Sequence, residues 1–499
     1  MASLDGLILG FSVALTLQNL SYAFIGVLLG TAIGVLPGLG PVATIAMLLP
    51  LTFSLQPETA LIMLAGIFYG AQYGGSTAAI LVNVPGESSS VVTCLDGYQM
   101  ARQGRAGAAL AIAALGSFFA GTVATIIIVL FAPVLSKFAL DFGPADYFSL
   151  MILGLVGAVL LASGSILKAF GMVVLGILLG LIGIDVNSGF NRFSYGISEL
   201  SDGINFGVIA MGIFGFTEII VNLQQKEKRE VFTENVGALM LTKDEVREAA
   251  PAVVRGTLLG SVLGVLPGGG ALLSSFASYT LEKRIASDPS RFGKGAIAGV
   301  AGPESANNAG AQTSFIPMLT LGIPPNAVLA MMMGAMTIHN IQPGPHVMTS
   351  NPELFWGLIV SMWVGNLMLV ILNLPLIGLW IRLIKIPYRL LYLAILAFCC
   401  IGAYSLTNAV FDVYLAALFG LIGYVFVRLG CEPAPLILGF ILGPLMEENL
   451  RRALLLSRGD IGVLFTEPLS LAMLIVAGAL VLLMLIPAIA RNRNRAFSG

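Results

Sequence analysis

Two glycine-rich segments, 230 residues apart, carry nearly the same sequence. Residues 26–40 read GVLLGTAIGVLPGLG and residues 256–270 read GTLLGSVLGVLPGGG, sharing the run Gly-Val-Leu-Pro-Gly at 34–38 and 264–268. A second match follows each copy. Gly70-Ala71-Gln72 falls on Gly310-Ala311-Gln312 at an offset of 240, and at that offset Pro85 falls on Pro325. Such a chain must fold twice into one arrangement, with backbone breaks at matching places. In a very apolar chain this is the pattern of a secondary transporter, and the breaks mark where a substrate would sit.

The 499 residues are 57% hydrophobic and only 10% charged, with a mean hydropathy of +0.94. Soluble domains carry roughly 25% charged residues. The expected class is therefore an all-α polytopic membrane protein with about a dozen spans of ~20 residues. Helices are expected throughout, because strands span a bilayer only when closed into a barrel. A net charge of −1 with no basic cluster outside helix flanks excludes a nucleic-acid partner. Cys94, Cys399, Cys400 and Cys431 lack metal-ligand spacing and read as small apolar helix residues. The start MASLDG has no basic n-region, so no cleaved signal peptide is expected.

The longest polar stretch, 224–250, divides the chain into halves 1–223 and 251–499 and is expected to be cytoplasmic. Positive charge gives the orientation. Arg102 and Arg105, Lys283, Arg284, Arg291 and Lys294, then Arg382, Arg428 and the Arg-rich tail are expected inside. Loops near 137–146, 185–204 and 339–353 are expected outside, while Arg451, Arg452 and Arg458 fit either face. No Lys or Arg occurs before Arg102, whereas Arg255 and Lys283/Arg284 bracket the second motif. Each motif reads as a re-entrant hairpin, near 30–55 and 252–282, with its break at 37–41 and 267–270. The first opens outward and the second to the cytoplasm, which makes an inverted repeat.

Behind each hairpin comes a helix that breaks. The first carries Tyr69 to Thr77 (YGAQYGGST) and then Asn83-Val84-Pro85-Gly86-Glu87. The second carries Gly302 to Ser314 (GPESANNAGAQTS) and then Gly322-Ile323-Pro324-Pro325-Asn326. Breaks at membrane depth free backbone groups for an ion or substrate. Half-helix N-termini suit anions, and hydroxyl, amide and carbonyl oxygens suit Na⁺. Candidate substrate contacts are Gly38, Gly40, Gly268 and Gly270 at the tips and Gly75, Ser76, Thr77, Pro85, Gly86 and Glu87 behind the first. Behind the second they are Asn307, Asn308, Thr313, Pro324, Pro325 and Asn326. Ser76, Asn83, Glu304, Ser305, Asn307 and Ser314 are candidate Na⁺ ligands. A plainer role fits Gly26, Gly30 and Gly34 with Gly256, Gly260 and Gly264, since small residues four apart let helices pack closely. Glu87 and Glu304 are the only acids in these clusters, and helix capping or a surface position would also accommodate them. Neither cluster holds Lys or Arg, so an anionic substrate would be met by helix termini, amides and a co-transported cation. His339 and His346 have no metal partners at ligand spacing, and no nucleophile–base pair or HExxH signature supports an intramembrane enzyme. No cofactor is expected beyond Na⁺ as coupling ion.

The segments GVLPGLGPVATIAMLLPLTF at 34–53, YGGSTAAILVNVPGESSSVVTCLDGYQMARQG at 73–104, GVLPGGGALLSSFASY at 264–279 and GPESANNAGAQTSFIPMLTLGIPPNAVLAMMMGA at 302–335 carry a family resemblance. Through them the chain resembles the large membrane subunit of tripartite tricarboxylate transporters, the TctA family, over essentially its full length. The resemblance implies a bacterial inner-membrane permease working with a small membrane subunit and a periplasmic solute-binding protein. It also implies uptake of a carboxylate driven by a cation gradient, with Na⁺ the expected ion. An exchanger of small anions that needs no binding protein is the alternative within transport.

Overall fold

The computed structural model describes residues 2–36, 40–162, 165–185, 188–224, 236–237, 239–266, 270–384 and 388–485. Gly38 and Gly268 of the expected tips lie outside the described residues, as do residues 225–235 and 238 of the 224–250 linker. The first half runs through α1 (Ala2–Ala14), α2 (Leu17–Val35), α3 (Pro41–Leu48), α4 (Pro57–Val82), α5 (Val91–Arg102) and α6 (Ala106–Ala139). It continues with α7 (Pro144–Leu161), α8 (Ile166–Gly180) and α9 (Phe206–Gln224), the last with a π-helical turn at Met211–Phe216. The second half holds α10 (Lys243–Leu263), α11 (Gly270–Ile285), α12 (Ala298–Thr313), α13 (Phe315–Leu321) and α14 (Ala327–Ile338). After these come α15 (Pro352–Asn373), α16 (Tyr388–Thr407), α17 (Val410–Arg428), α18 (Ala434–Leu456) and α19 (Pro468–Leu485). One two-residue antiparallel pair, Gly183–Ile184 with Asn191–Arg192, is the exception to the all-helical expectation.

Lipid tails are as apolar as leucine, so helices in a membrane associate by close packing, and small residues permit it. That is the role of the repeated glycines. A Cβ at Gly26, Gly30 or Gly34 of α2 would overlap the carbonyl oxygens of Met63, Ile67 and Ala71 in turn. From the other side, a Cβ at Gly66, Gly70 or Gly74 of α4 would press on Ala23, Val27 and Thr31. The ascending order shows that α2 and α4 run side by side in one direction. Gly256, Gly260 and Gly264 of α10 meet Gly302, Ala306 and Gly310 of α12 in the same way.

The two pairs run in opposite senses. Ser117 and Thr125 of α6 bond residues near Glu304 and Gln312, which sets α6 parallel to α12. Along α15, Gly365 lies against Tyr69, while Asn373 reaches the level of Tyr73 and Ser76, so α15 runs with α4. Trp363 donates to the Thr122 carbonyl and Asn366 covers Gly121, which makes α15 antiparallel to α6.

The sequence boundaries shift in three places. The helix that leads into the first break, α2, begins at Leu17, well before residue 30, and at 19 residues it is long and apolar enough to cross a membrane. The glycines of 70–75 do not interrupt α4, which stays helical to Val82 because those glycines serve packing. The break falls at Asn83, left-handed at φ 56°, and its counterpart at Gly322, at φ 70°. Glu87 and Asn326 then take matching extended N-cap conformations, φ −148° and −150°. These pairs stand 239 apart, so Pro85 matches Pro324 rather than Pro325. Between Gln312 and Gly322 the second half is one residue shorter than the first between Gln72 and Asn83, and there a turn at Ser314 divides α12 from α13.

Five described helices are long and apolar enough to cross a membrane, and seven shorter apolar helices of 10–17 residues accompany them. A separate apolar core joins α7 and α8 to α18 through Met151, Leu155, Val173, Leu436 and Ile437. Arg451, which fitted either face, lies with the 185–204 loop, and Arg452 lies near Pro144, Tyr147 and Pro345. Arg451 pairs with Asp185 and Glu447, Glu447 also binds Arg192, and Arg452 pairs with Glu448. Their charges are neutralised in place.

Candidate functional site

A cavity of about 340 Å³ lies where the repeated elements meet the α7/α18 core. Five chain segments begin there. Gly40 and Pro41 open α3, Ala271 follows the first residue of α11, and Asn326 caps α14. Pro433 precedes α18, and Glu87 caps the turn Ser88–Ser90 that leads into α5. Helix starts carry unsatisfied N–H groups and the positive end of the helix dipole, so the four helix starts at one space favour an anion. Phe68, Phe214, Ala158 and Leu438 supply apolar walls. Two carboxylates, Glu87 and Glu432, and no Lys, Arg or His line it among the described residues.

The loop that brings Glu87 to the cavity is fixed by glycine. The Gly86 N–H donates to the Gly75 carbonyl at 3.5 Å. A Cβ on Gly86 would overlap the Gly34 carbonyl oxygen and stand 2.6 Å from Gly75 Cα. The Ser89 hydroxyl bridges the Glu87 carboxylate and the Gln72 amide oxygen, the latter at 3.1 Å. On the other side, Asn326 accepts from Leu329 N at 3.0 Å, and Gly270 sits between Ser314 and the Asn326 amide.

The sequence-nominated residues divide into groups. Gly40, Glu87, Pro325 and Asn326 line the cavity, and Gly75, Gly86 and Gly270 support its rim. Pro85 and Pro324 hold the turns before the two caps, outside the lining. Asn307 is fully buried beside Glu87, and neither of its amide atoms makes a hydrogen bond of regular geometry. Ser76, Thr77 and Glu304 meet elsewhere, in a small enclosed space lined also by Tyr73, Ser117 and Asn373. Ser76 donates to Glu304 Oε2 at 2.6 Å and Thr93 donates to Oε1. Asn308 donates to Ser117 at 2.6 Å and to the Glu304 carbonyl at 3.1 Å. Thr313 packs against Gly264, and the Ser314 hydroxyl is shared between the Gly264 and Gly310 carbonyls, so both hold the end of α10. Ser305 bonds back to Ala301 under Gly116, and Asn83 is an exposed helix stop, so neither joins Glu304.

Sequence reasoning missed Thr93, Ser117, Tyr73 and Asn373 around Glu304, and the α7 and α18 wall of the larger cavity. Thr93 and Ser117 come together with Glu304 only in the fold, from α5 and α6. For Glu432 a usable signal existed, since Glu432-Pro433 is an acid just ahead of a proline-started helix.

Residues 20–438 match the tripartite tricarboxylate transporter TctA family. The chain is 58% identical over 497 residues to an uncharacterized 52.8 kDa protein of the TAR-I ttuC' 3' region of Agrobacterium vitis, covering 100% of this chain and 99% of that one. It is 59% identical over 238 residues to an uncharacterized protein of the TAR-II ttuC' 3' region of the same organism, covering 48% of this chain and 98% of that one. No solved structure matches.

Proposed function

The chain belongs to the tripartite tricarboxylate transporter TctA family, as a multi-pass membrane subunit, and from that premise we propose that it is the permease of a cation-coupled carboxylate uptake system. The observation that carries the reading is the convergence of four helix starts and the Ser88–Ser90 turn on a cavity with no cationic side chain among its described lining residues. A carboxylate held there is met by backbone N–H groups and helix dipoles, which act strongly where water is scarce. A carboxylate beside Glu87 brings two acidic groups into one space, so the loaded cavity calls for a positive companion, and co-transport of Na⁺ supplies one. In this reading the halves 1–223 and 251–499 form an inverted repeat, and the segments near 30–55 and 252–282 are re-entrant hairpins that open on opposite faces. The opposed helix directions support this. Partners are a small membrane subunit and a periplasmic solute-binding protein, and the site of action is the bacterial inner membrane.

The test is uptake of radiolabelled tricarboxylate into proteoliposomes holding the permease and its small partner. Binding protein is supplied outside, with or without an inward Na⁺ gradient. Accumulation that needs all three supports the reading, and equal accumulation without any Na⁺ gradient removes Na⁺ coupling from it.

A further inference from the structure

We propose that the enclosed space at Glu304 is a binding site for one dehydrated monovalent cation of Na⁺ size, separate from the carboxylate cavity. It deepens the cation-coupled reading, on which only its role in transport depends. The space measures about 10 Å³, room for a single water-sized sphere. Every polar group that lines it offers oxygen: the Glu304 carboxylate, the hydroxyls of Tyr73, Ser76, Thr77 and Ser117, and the Asn373 amide.

Two of these groups point to a missing partner. The Tyr73 hydroxyl, on a residue only 4% exposed, makes no hydrogen bond. Asn373, 5% exposed, spends its amide N–H on the Leu369 carbonyl at 2.9 Å, which leaves its Oδ1 without a partner. Buried polar atoms are rarely left so. Glu304 itself is 1% exposed, accepts only from the Ser76 and Thr93 side chains, and has no Lys, Arg or His among the residues lining the space. A water molecule would satisfy Tyr73 and Asn373 but leave the carboxylate charge uncompensated, which is costly at membrane depth. A monovalent cation meets all three needs. One carboxylate neutralises one positive charge, whereas divalent ions usually draw on several carboxylates. The volume holds a single such ion.

The site also has a route to the carboxylate cavity. Thr93, which holds Glu304 Oε1, lies in the first turn of α5, directly after the Ser88–Ser90 turn beside the cavity. Ser76, which holds Oε2, is one turn beyond Gln72, and Gln72 accepts from Ser89 at the cavity wall. Filling the cation site therefore fixes the two elements that present Glu87 and Ser89.

The test uses purified full-length protein in detergent, with neither carboxylate nor binding protein. Its thermal midpoint is followed as NaCl replaces choline chloride at constant ionic strength. A saturable rise with Na⁺ is expected. Glu304→Gln should abolish the rise, while Tyr73→Phe and Asn373→Ala should raise the half-saturating Na⁺ roughly tenfold. If Glu304→Gln does not fold, Tyr73→Phe and Asn373→Ala decide alone. The proposal is overturned by an equal response to choline, by an unchanged half-saturation in the variants, or by a Glu304-dependent response to pH with none to Na⁺. The last outcome would make Glu304 a proton carrier. Because no carboxylate is present, failure here leaves the carboxylate reading standing, and failed uptake would leave this site standing.

Discussion

Gly86→Ala should disable the protein far out of proportion to one methyl group. The added carbon would overlap the Gly34 carbonyl oxygen and lie 2.6 Å from Gly75 Cα. Ordinary carbon contacts need about 3.5–4.0 Å, so the 83–90 loop must retreat by roughly 1 Å. Both obstructing atoms are backbone, on α2 and α4, and those helices are already in direct contact along Gly26, Gly30 and Gly34. Neither can yield. Overpacking of this kind costs about 1–3 kcal/mol. The functional effect is larger, because the loop carries Glu87 and Ser89 to the cavity, and a 1 Å error in positioned groups costs on the order of 10²-fold in rate. Gly40→Ala is the companion. It adds the same methyl where nothing lies within 4 Å, at an ordinary φ of −82°, so stability should change by less than about 0.5 kcal/mol. Its methyl stands at the cavity, so the half-saturating carboxylate should rise several-fold, on the scale of roughly 1 kcal/mol in binding. Thermal midpoint and uptake per folded molecule, normalised by fluorescence size-exclusion, separate the two effects. A Gly86→Ala protein with the wild-type midpoint and uptake would refute the reasoning.

Other outcomes follow from single contacts. Arg255 donates to both oxygens of Glu282, at 2.8 and 2.6 Å, and Glu282 is only 2% exposed. Arg255→Ala should lower the thermal midpoint, by less than the roughly 3–5 kcal/mol of a fully buried pair because the arginine is 39% exposed, and Arg255→Ala with Glu282→Ala together should recover part of the loss. Asp96 Oδ1 accepts the N–H groups of Gly293, Gly295 and Ala296, while Tyr279 donates to Oδ2. Asp96→Ala would orphan three buried or half-buried N–H groups and should cost on the order of 3 kcal/mol, read from chemical unfolding. Ser54→Cys should react with an impermeant thiol reagent from the periplasm and Ser287→Cys from the cytoplasm. Labelling of both from one side would end the inverted-repeat reading.

What the sequence could reveal follows the range of its signals. The twin motif predicted close helix packing because glycine spacing is local, and Gly26 to Gly34 do bring α2 against α4, as Gly256 to Gly264 bring α10 against α12. Glu87 and Glu304 stood out because acids are rare in apolar chains. The helix stops at Asn83 and Gly322 were visible as motifs, but the one-residue change of offset between the halves was not, since Pro324-Pro325 offers two equal matches. Tyr73 and Asn373 carried no signal, because an aromatic in α4 and an amide at the end of α15 look like ordinary helix residues until the fold sets them beside Glu304. Arg451 could be placed only through Asp185, 266 residues away.

The central claim is that carboxylate sits among the helix starts of the larger cavity, and chemical protection tests it most directly. Ala271→Cys puts a thiol at the half-buried start of α11, in a background where Cys94, Cys399, Cys400 and Cys431 are replaced by serine. Tricarboxylate at concentrations that saturate transport should slow alkylation of that thiol, and more so with Na⁺ present. The same alkylation rate with and without tricarboxylate, in a protein that still transports, would contradict the account.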